Sequence, residues 1–277
     1  MDIKKMLGCL KSPHDKKDIL MESILAPIAL PPESDYTQDF TPVRSQGNEG
    51  TCVGFAMSVG CMEYWEKEES GVITELSPRF LYYNAQKIDG ISGKHEGTHL
   101  LAACKVAQTL GTCKESLLPY IPQDTVEPEI IHYKDALQYR IKVYTRVRTL
   151  DQLKQAIFDP QVKAVLVGVK VYKGMISEEA KKTGITPNPS CWDKFNVLGG
   201  HALCAGAFVD KSPYYKDGHI RLKGSWGEGY GDVGYHYLSY DYINANMLDA
   251  FACIDIHPSE LKNYAFERIG DRKEWLA

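Results

Sequence analysis

From Cys52 onward, apolar side chains recur at helical spacing (Phe55, Ala56, Val59, Met62) before the run ends in Glu66, Lys67, Glu68 and Glu69. This period predicts a helix with one buried face and a solvated C-terminal end. Ser77 followed by Pro78 is an N-cap and first-turn signal that predicts a second helix. A third is expected from about His99 to Leu110, stopped by Gly111. Near residue 130 the apolar period changes. Segments 139–147, 164–172, 202–208, 219–223 and 234–238 are rich in Val, Ile, Tyr and Phe and predict strands, with one helix at about 151–158 between the first two.

A helix-rich first half followed by a strand-rich second half predicts an α+β chain of two lobes, 36–130 and 131–255, with any site in the cleft between them. Residues 1–35, Lys-rich and then punctuated by Pro27, Pro31 and Pro32, are expected to form an N-terminal arm or short pro-segment. Residues 256–277 are expected to be a C-terminal helical extension, with Ser259 as the helix cap. No internal repeat or low-complexity tract argues for a third domain.

Composition narrows the class. The 277 residues are 44% hydrophobic and 25% charged, enough material for two lobes with cores. A net charge of −4 argues against a surface for nucleic acid. The apolar run Ala164–Val169 is too short to span a bilayer, and the stretch Met6–Leu10 is cut off by Lys11-Ser12-Pro13 before it can act as a secretory signal. A soluble protein of the cytoplasm is the expectation. The eight cysteines read mostly as free, buried thiols of a reducing compartment.

Three separated segments carry candidate chemistry. In Ser45-Gln46-Gly47-Asn48-Glu49-Gly50-Thr51-Cys52-Val53-Gly54-Phe55-Ala56, a Gly-rich turn delivers a cysteine to a helix start. There, N-terminal N–H groups and a nearby imidazolium would lower its pKa and make Cys52 a thiolate nucleophile. In Leu198-Gly199-Gly200-His201-Ala202-Leu203, one histidine opens a buried strand and is the candidate base. The third, His219 to Tyr235, runs from strand through Gly224-Ser225-Trp226-Gly227 and back into strand.

Together these segments resemble the papain/cathepsin-type cysteine peptidases, over about residues 40–255 and in the family's order. Leu76–Tyr83 and Gly111–Tyr120 likewise resemble that family's second helix and lobe-closing segment. The resemblance implies a papain-like two-lobed fold, with a helical left lobe and an antiparallel β-barrel-like right lobe. It implies thiol-dependent peptide hydrolysis through an acyl-enzyme, with a peptide or polypeptide as partner, no cofactor and no metal. Cys52 would be the nucleophile, His201 the base, Gln46 an oxyanion-hole donor and Trp226 the shield of the imidazole. Gly97, Thr98, His99, Gly199 and Gly200 would border the substrate cleft, and Ser225 reads as structural. The arm is much shorter than the propeptide of secreted relatives and reads as a packed arm rather than an inhibitory plug.

Two departures stand out. The family's orienting asparagine position is Gly224, which has no side chain to hold the imidazole; losing that bond is worth roughly a two- to hundredfold drop in rate. Glu49 stands where secreted relatives usually carry a disulfide cysteine. Gly224 leaves open a second class, a weakened pseudoenzyme that binds peptides, and a third in which the acyl group passes to an amine or thiol.

His95-Glu96-Gly97-Thr98-His99 also matches H-E-x-x-H, in which two histidines on one helical turn bind zinc. Gly90, Gly93 and Gly97 surround it and argue against a helix there. The spacing Gly227, Gly229, Gly231, Gly234 leads into a strand rather than a helix, so it reads as a turn and not a phosphate loop.

Overall fold

The computed structural model describes residues 3–13, 19, 21, 28–92, 96–124 and 126–254; the helix expected after Ser259 lies outside them. The N-terminal segment contributes two short strands, β1 (Cys9–Leu10) and β2 (Glu33–Asp35). The helical lobe is built on one rod. It runs through α1 (Cys52–Phe55), a π-helical stretch (Ala56–Met62) and α2 (Glu63–Ser70), and ends at Gly71 with φ +72°. Residues 52–65 are buried and the charged end is solvated, as the apolar period requires. The π stretch is a departure from the simple helix that the period predicts.

Two glycines set how closely the rod packs. A Cβ on Gly54 would lie 2.7 Å from the Pro78 carbonyl oxygen, and one on Gly60 2.5 Å from Cys204 Cβ. Gly60 therefore lets the rod lie directly on the strand that carries His201, and Cys61 Sγ comes within 3.4 Å of Cys204 Sγ.

Helix α3 (Pro78–Asp89) begins as expected, with Ser77 Oγ accepting from the Phe80 N–H (3.2 Å). Strand β3 (Thr98–His99) leads into α4 (Leu100–Thr109), and α5 (Ile130–Ala136) closes the lobe.

The second lobe follows as β4 (Val143–Arg146), α6 (Leu150–Phe158), β5 (Val165–Val171), α7 (Glu178–Thr183), β6 (Ile185–Thr186), β7 (Gly199–Val209), β8 (His219–Lys223), β9 (Tyr235–Ser239), α8 (Tyr240–Asn246) and β10 (Met247–Ile254). Its sheet order is β4-β10-β5-β7-β8-β9-β6, with β2 also pairing β7. Among the described residues the pairings of this sheet are antiparallel, except β6 with β9. β4 is shorter than expected.

The sheet separates two apolar cores. Val165, Val167, Val169, Leu203 and Ala205 pack with Leu153, Ile157 and Phe208, whereas Leu166, Ala202 and Cys204 on the opposite face pack with Cys52, Met57, Trp65 and Leu101. Strand periodicity thus gives β7 one face toward the rod and one toward its own lobe.

Candidate active site

Cys52 opens the rod and is fully buried. Backbone N–H groups of Ala202, Gly8 and Val53 are directed at its sulfur. Burial nevertheless pushes the thiol up to about 11, and the N–H donors only moderate the rise. The thiolate expected from the helix start is therefore not the state of this closed site, because desolvation outweighs the donors.

His201 sits at the start of β7, next to the residue whose N–H reaches the Cys52 sulfur. Its ring stacks on Trp226, with centroids 4.3 Å apart and planes 25° apart. Burial first, and then the neighbouring His236, hold the imidazole well below its ordinary pKa. Neither ring nitrogen has a hydrogen-bond partner among the described residues.

Gln46 is fixed from both ends of its amide. Ser225 Oγ donates to Oε1 (2.6 Å), while Nε2 donates to the carbonyls of Glu49 (2.6 Å) and Met6 (3.0 Å). Ser225, which the sequence offers only as structural, thereby sets the rotamer that aims the amide N–H groups.

The loop from Gln46 to Cys52 has an anchor that sequence reasoning missed. Arg79 donates twice to the Glu49 carboxylate (2.7 and 2.6 Å) and once to the Ile121 carbonyl (2.8 Å). The Tyr120 hydroxyl lies 2.8 Å from the Gln46 carbonyl and 3.0 Å from Glu49 Oε2, under the Arg79 guanidinium. A planar two-pronged ion pair thus stands where secreted relatives place a disulfide. Its only sequence signal is an acidic residue in an unexpected position.

The expected cleft residues meet around the chain's own N-terminal arm. The Thr98 N–H donates to the Gly8 carbonyl (2.8 Å), and β1 pairs parallel with β3, Cys9 opposite Thr98 and Leu10 opposite His99. A Cβ on Gly97 would lie 2.4 Å from Gly8 O, one on Gly200 2.1 Å from Cys9 O, and one on Gly199 2.9 Å from Leu7 Cβ. Residues 7–10 of the arm pack against these expected cleft residues, beside Cys52; that is the position of a plug, and it departs from the expectation of a packed arm without that role. There it offers the sulfur the Gly8 N–H.

The H-E-x-x-H pentapeptide does not lie in a helix. Gly97 has φ +95°, and Thr98 and His99 form β3. His99 Nδ1 lies 2.7 Å from Asp89 Oδ2, and His95 lies outside the described residues. Among the described residues, no group of three or more His, Cys, Asp or Glu is placed to hold a metal ion.

The model of the papain family cysteine proteases matches residues 30–254. The chain belongs to that family and is a thiol-dependent peptidase. It is 24% identical over 269 residues to an uncharacterized peptidase C1-like protein of Acanthamoeba polyphaga mimivirus, covering 87% of this chain and 83% of that protein. Mouse cathepsin K is 28% identical over 221 residues, 78% of this chain but only 62% of its own length. Xylellain, a cysteine protease from Xylella fastidiosa, superposes with a TM-score of 0.79 at 27% identity, covering 92% of this chain and 97% of that one. Procathepsin L 3 of Tenebrio molitor shares the fold, with a TM-score of 0.68 at 18% identity over 86% of this chain and 74% of that one. The described residues contain no helix long and apolar enough to cross a membrane.

Proposed function

We propose that Cys52 attacks the carbonyl carbon of a peptide bond and that His201 protonates the leaving amine. The same imidazole then activates the water that releases the acyl group. Gln46 Nε2 and the Cys52 N–H donate to the developing oxyanion, and Trp226 covers one face of the imidazole. Gly97, Thr98, His99, Gly199 and Gly200 form the walls that take an extended peptide backbone.

The observation that carries this reading is the arm itself. The Met6 and Gly8 carbonyls accept from Gln46 and Thr98, and Cys9-Leu10 pairs as a strand with Thr98-His99, which is how a cleft that takes an extended backbone would hold it. While these arm residues remain, the thiol and imidazole are dry and neutral. Once they leave, water enters, the burial that raises the thiol and lowers the imidazole is relieved, and the ion pair forms. Substrates are peptides or polypeptides, with no nucleic-acid or membrane partner. A reducing, cytoplasmic setting is supported by the Glu49–Arg79 pair in the disulfide position and by eight free cysteines.

The test is hydrolysis of a fluorogenic peptide by the full chain and by a variant whose arm is displaced, each with and without Cys52→Ser. Turnover that vanishes with Cys52→Ser supports the assignment. Turnover that survives it overturns the assignment.

A further inference from the structure

The geometry points to His236 as the positioning residue for His201, occupying the place that Gly224 leaves without a side chain. This rests on the reading of His201 as the base.

His236 lies on β9 opposite Leu222 of β8, and the Gly224 N–H donates to the Gly234 carbonyl (2.9 Å) just beyond the paired residues. A Cβ built on Gly224 would stand 2.6 Å from His236 Nε2 and 2.9 Å from Cδ2. The imidazole edge of His236 therefore abuts the place where a side chain at 224 would begin. Histidine at 236, in this place, requires glycine at 224: an asparagine cannot be added at 224 while His236 keeps its place.

The surroundings of His236 are those of a residue kept for its polar atoms. It is fully buried, and neither ring nitrogen has a partner among the described residues. Burying unpaired polar atoms costs about 1–3 kcal/mol each, so a leucine would be the cheaper filler if volume were all that mattered. Trp226, Tyr230 and His201 surround the ring at centroid distances of 5.3, 5.5 and 6.4 Å. Trp226, which stacks on His201, also stands edge-on to His236, so one indole registers both imidazoles. His201 likewise has two unpaired nitrogens.

The 6.4 Å separation exceeds the roughly 5 Å that a direct N–H···N bond between two imidazoles would give. Such bonds are often long in unliganded sites and tighten in the reacting complex. Burial holds His236 at about 4, so at neutral pH it is uncharged and has a nitrogen free to accept a ring N–H of His201, directly or through one water. That bond would fix the His201 tautomer whose other nitrogen serves Cys52.

The test measures kcat and KM for the full chain in an arm-displaced background, with thermal melts to verify folding. His236→Leu, which keeps bulk and loses polarity, is expected to lower kcat roughly 10- to 100-fold with KM little changed. His236→Gln, which keeps an acceptor, is expected to recover most of that loss. In the double variant Gly224→Asn with His236→Ala, an amide grows from the other side of the same space, and kcat is expected to exceed that of His236→Ala alone. Should His236→Leu fail to fold, the Gln and double variants carry the test. Wild-type kcat in His236→Leu, or no recovery in either of the other two, overturns the inference while leaving Cys52 and His201 in place. Turnover independent of Cys52 and His201 instead overturns the underlying site and takes this inference with it.

Discussion

Gly8 and Gly50 meet backbone to backbone: a Cβ on Gly8 would stand 1.8 Å from the Gly50 carbonyl oxygen. No rotamer relieves a clash with backbone, so only glycine lets the arm lie in the cleft. Gly8→Leu is expected to expel residues 6–10 and raise kcat/KM on a small fluorogenic peptide by about tenfold or more, the equivalent of roughly 1.4 kcal/mol of released competition. An unchanged kcat/KM would show that the arm is no barrier.

The Glu49–Arg79 pair is expected to couple stability to turnover. Arg79→Met leaves a mostly buried carboxylate without its partner and should cost about 3 kcal/mol in a denaturation experiment. Because Glu49 also accepts from the Gln123 N–H and lies beside Tyr120, the oxyanion loop should loosen and kcat should fall with it. Glu49→Gln combined with Arg79→Met should be milder than the sum of the single changes. Strict additivity would mean that the two side chains do not act as a unit.

Ser225 is expected to matter through Gln46. Removing its 2.6 Å bond with Ser225→Ala frees the amide to rotate, and kcat should drop several-fold at nearly constant KM. Gln46→Ala should cost more, up to about a hundredfold, as loss of an oxyanion donor does. With Gln46→Ala already present, Ser225→Ala should add almost nothing to the deficit. A full second loss in the double variant would place Ser225's role elsewhere.

Acid should destabilise the protein through its buried imidazoles. Burial lowers His236 to about 4 from an ordinary value near 6.5, so the unfolded chain takes up this proton first as pH falls. The stability that this neutral group retains at pH 7 is lost progressively from about 6.5 down to 4, and amounts to about 3 kcal/mol. His219, held near 4 first by burial and then by Arg221, adds in the same direction. Urea titrations at pH 7 and pH 4.5 check this, and His236→Gln should flatten the difference.

The sequence disclosed what is encoded locally. Phe55, Ala56, Val59 and Met62 repeat within one helix, and Ser77-Pro78 is a self-contained start signal, so the rod and α3 were legible. Strand β10 was not, because Asp249, Ala250 and Ala252 have little strand preference and the strand exists through its pairing with β4 and β5. The same holds for β1, whose Cys9-Leu10 becomes a strand only against Thr98-His99.

Of the residues proposed for the site, Gln46, Cys52, His201 and Trp226 carry a signal in motif spacing. Arg79, Tyr120 and His236 act from distant positions that carry no local signal: His236 is an ordinary alternating residue of β9 until the Gly224 backbone is seen against its ring. The helix start at Cys52 is local information and favours a thiolate, whereas the burial that raises the thiol comes from tertiary packing and leaves no local signal.

The most direct measurement is the pH dependence of Cys52 alkylation, read by mass spectrometry in the Gly8→Leu protein with and without His201→Ala. An opened cleft with a working thiol–imidazole pair predicts stoichiometric modification of Cys52, with an inflection below about 7.5 that moves to the ordinary thiol value near 8.5 when His201 is removed. An inflection near 8.5 in both proteins would contradict the account.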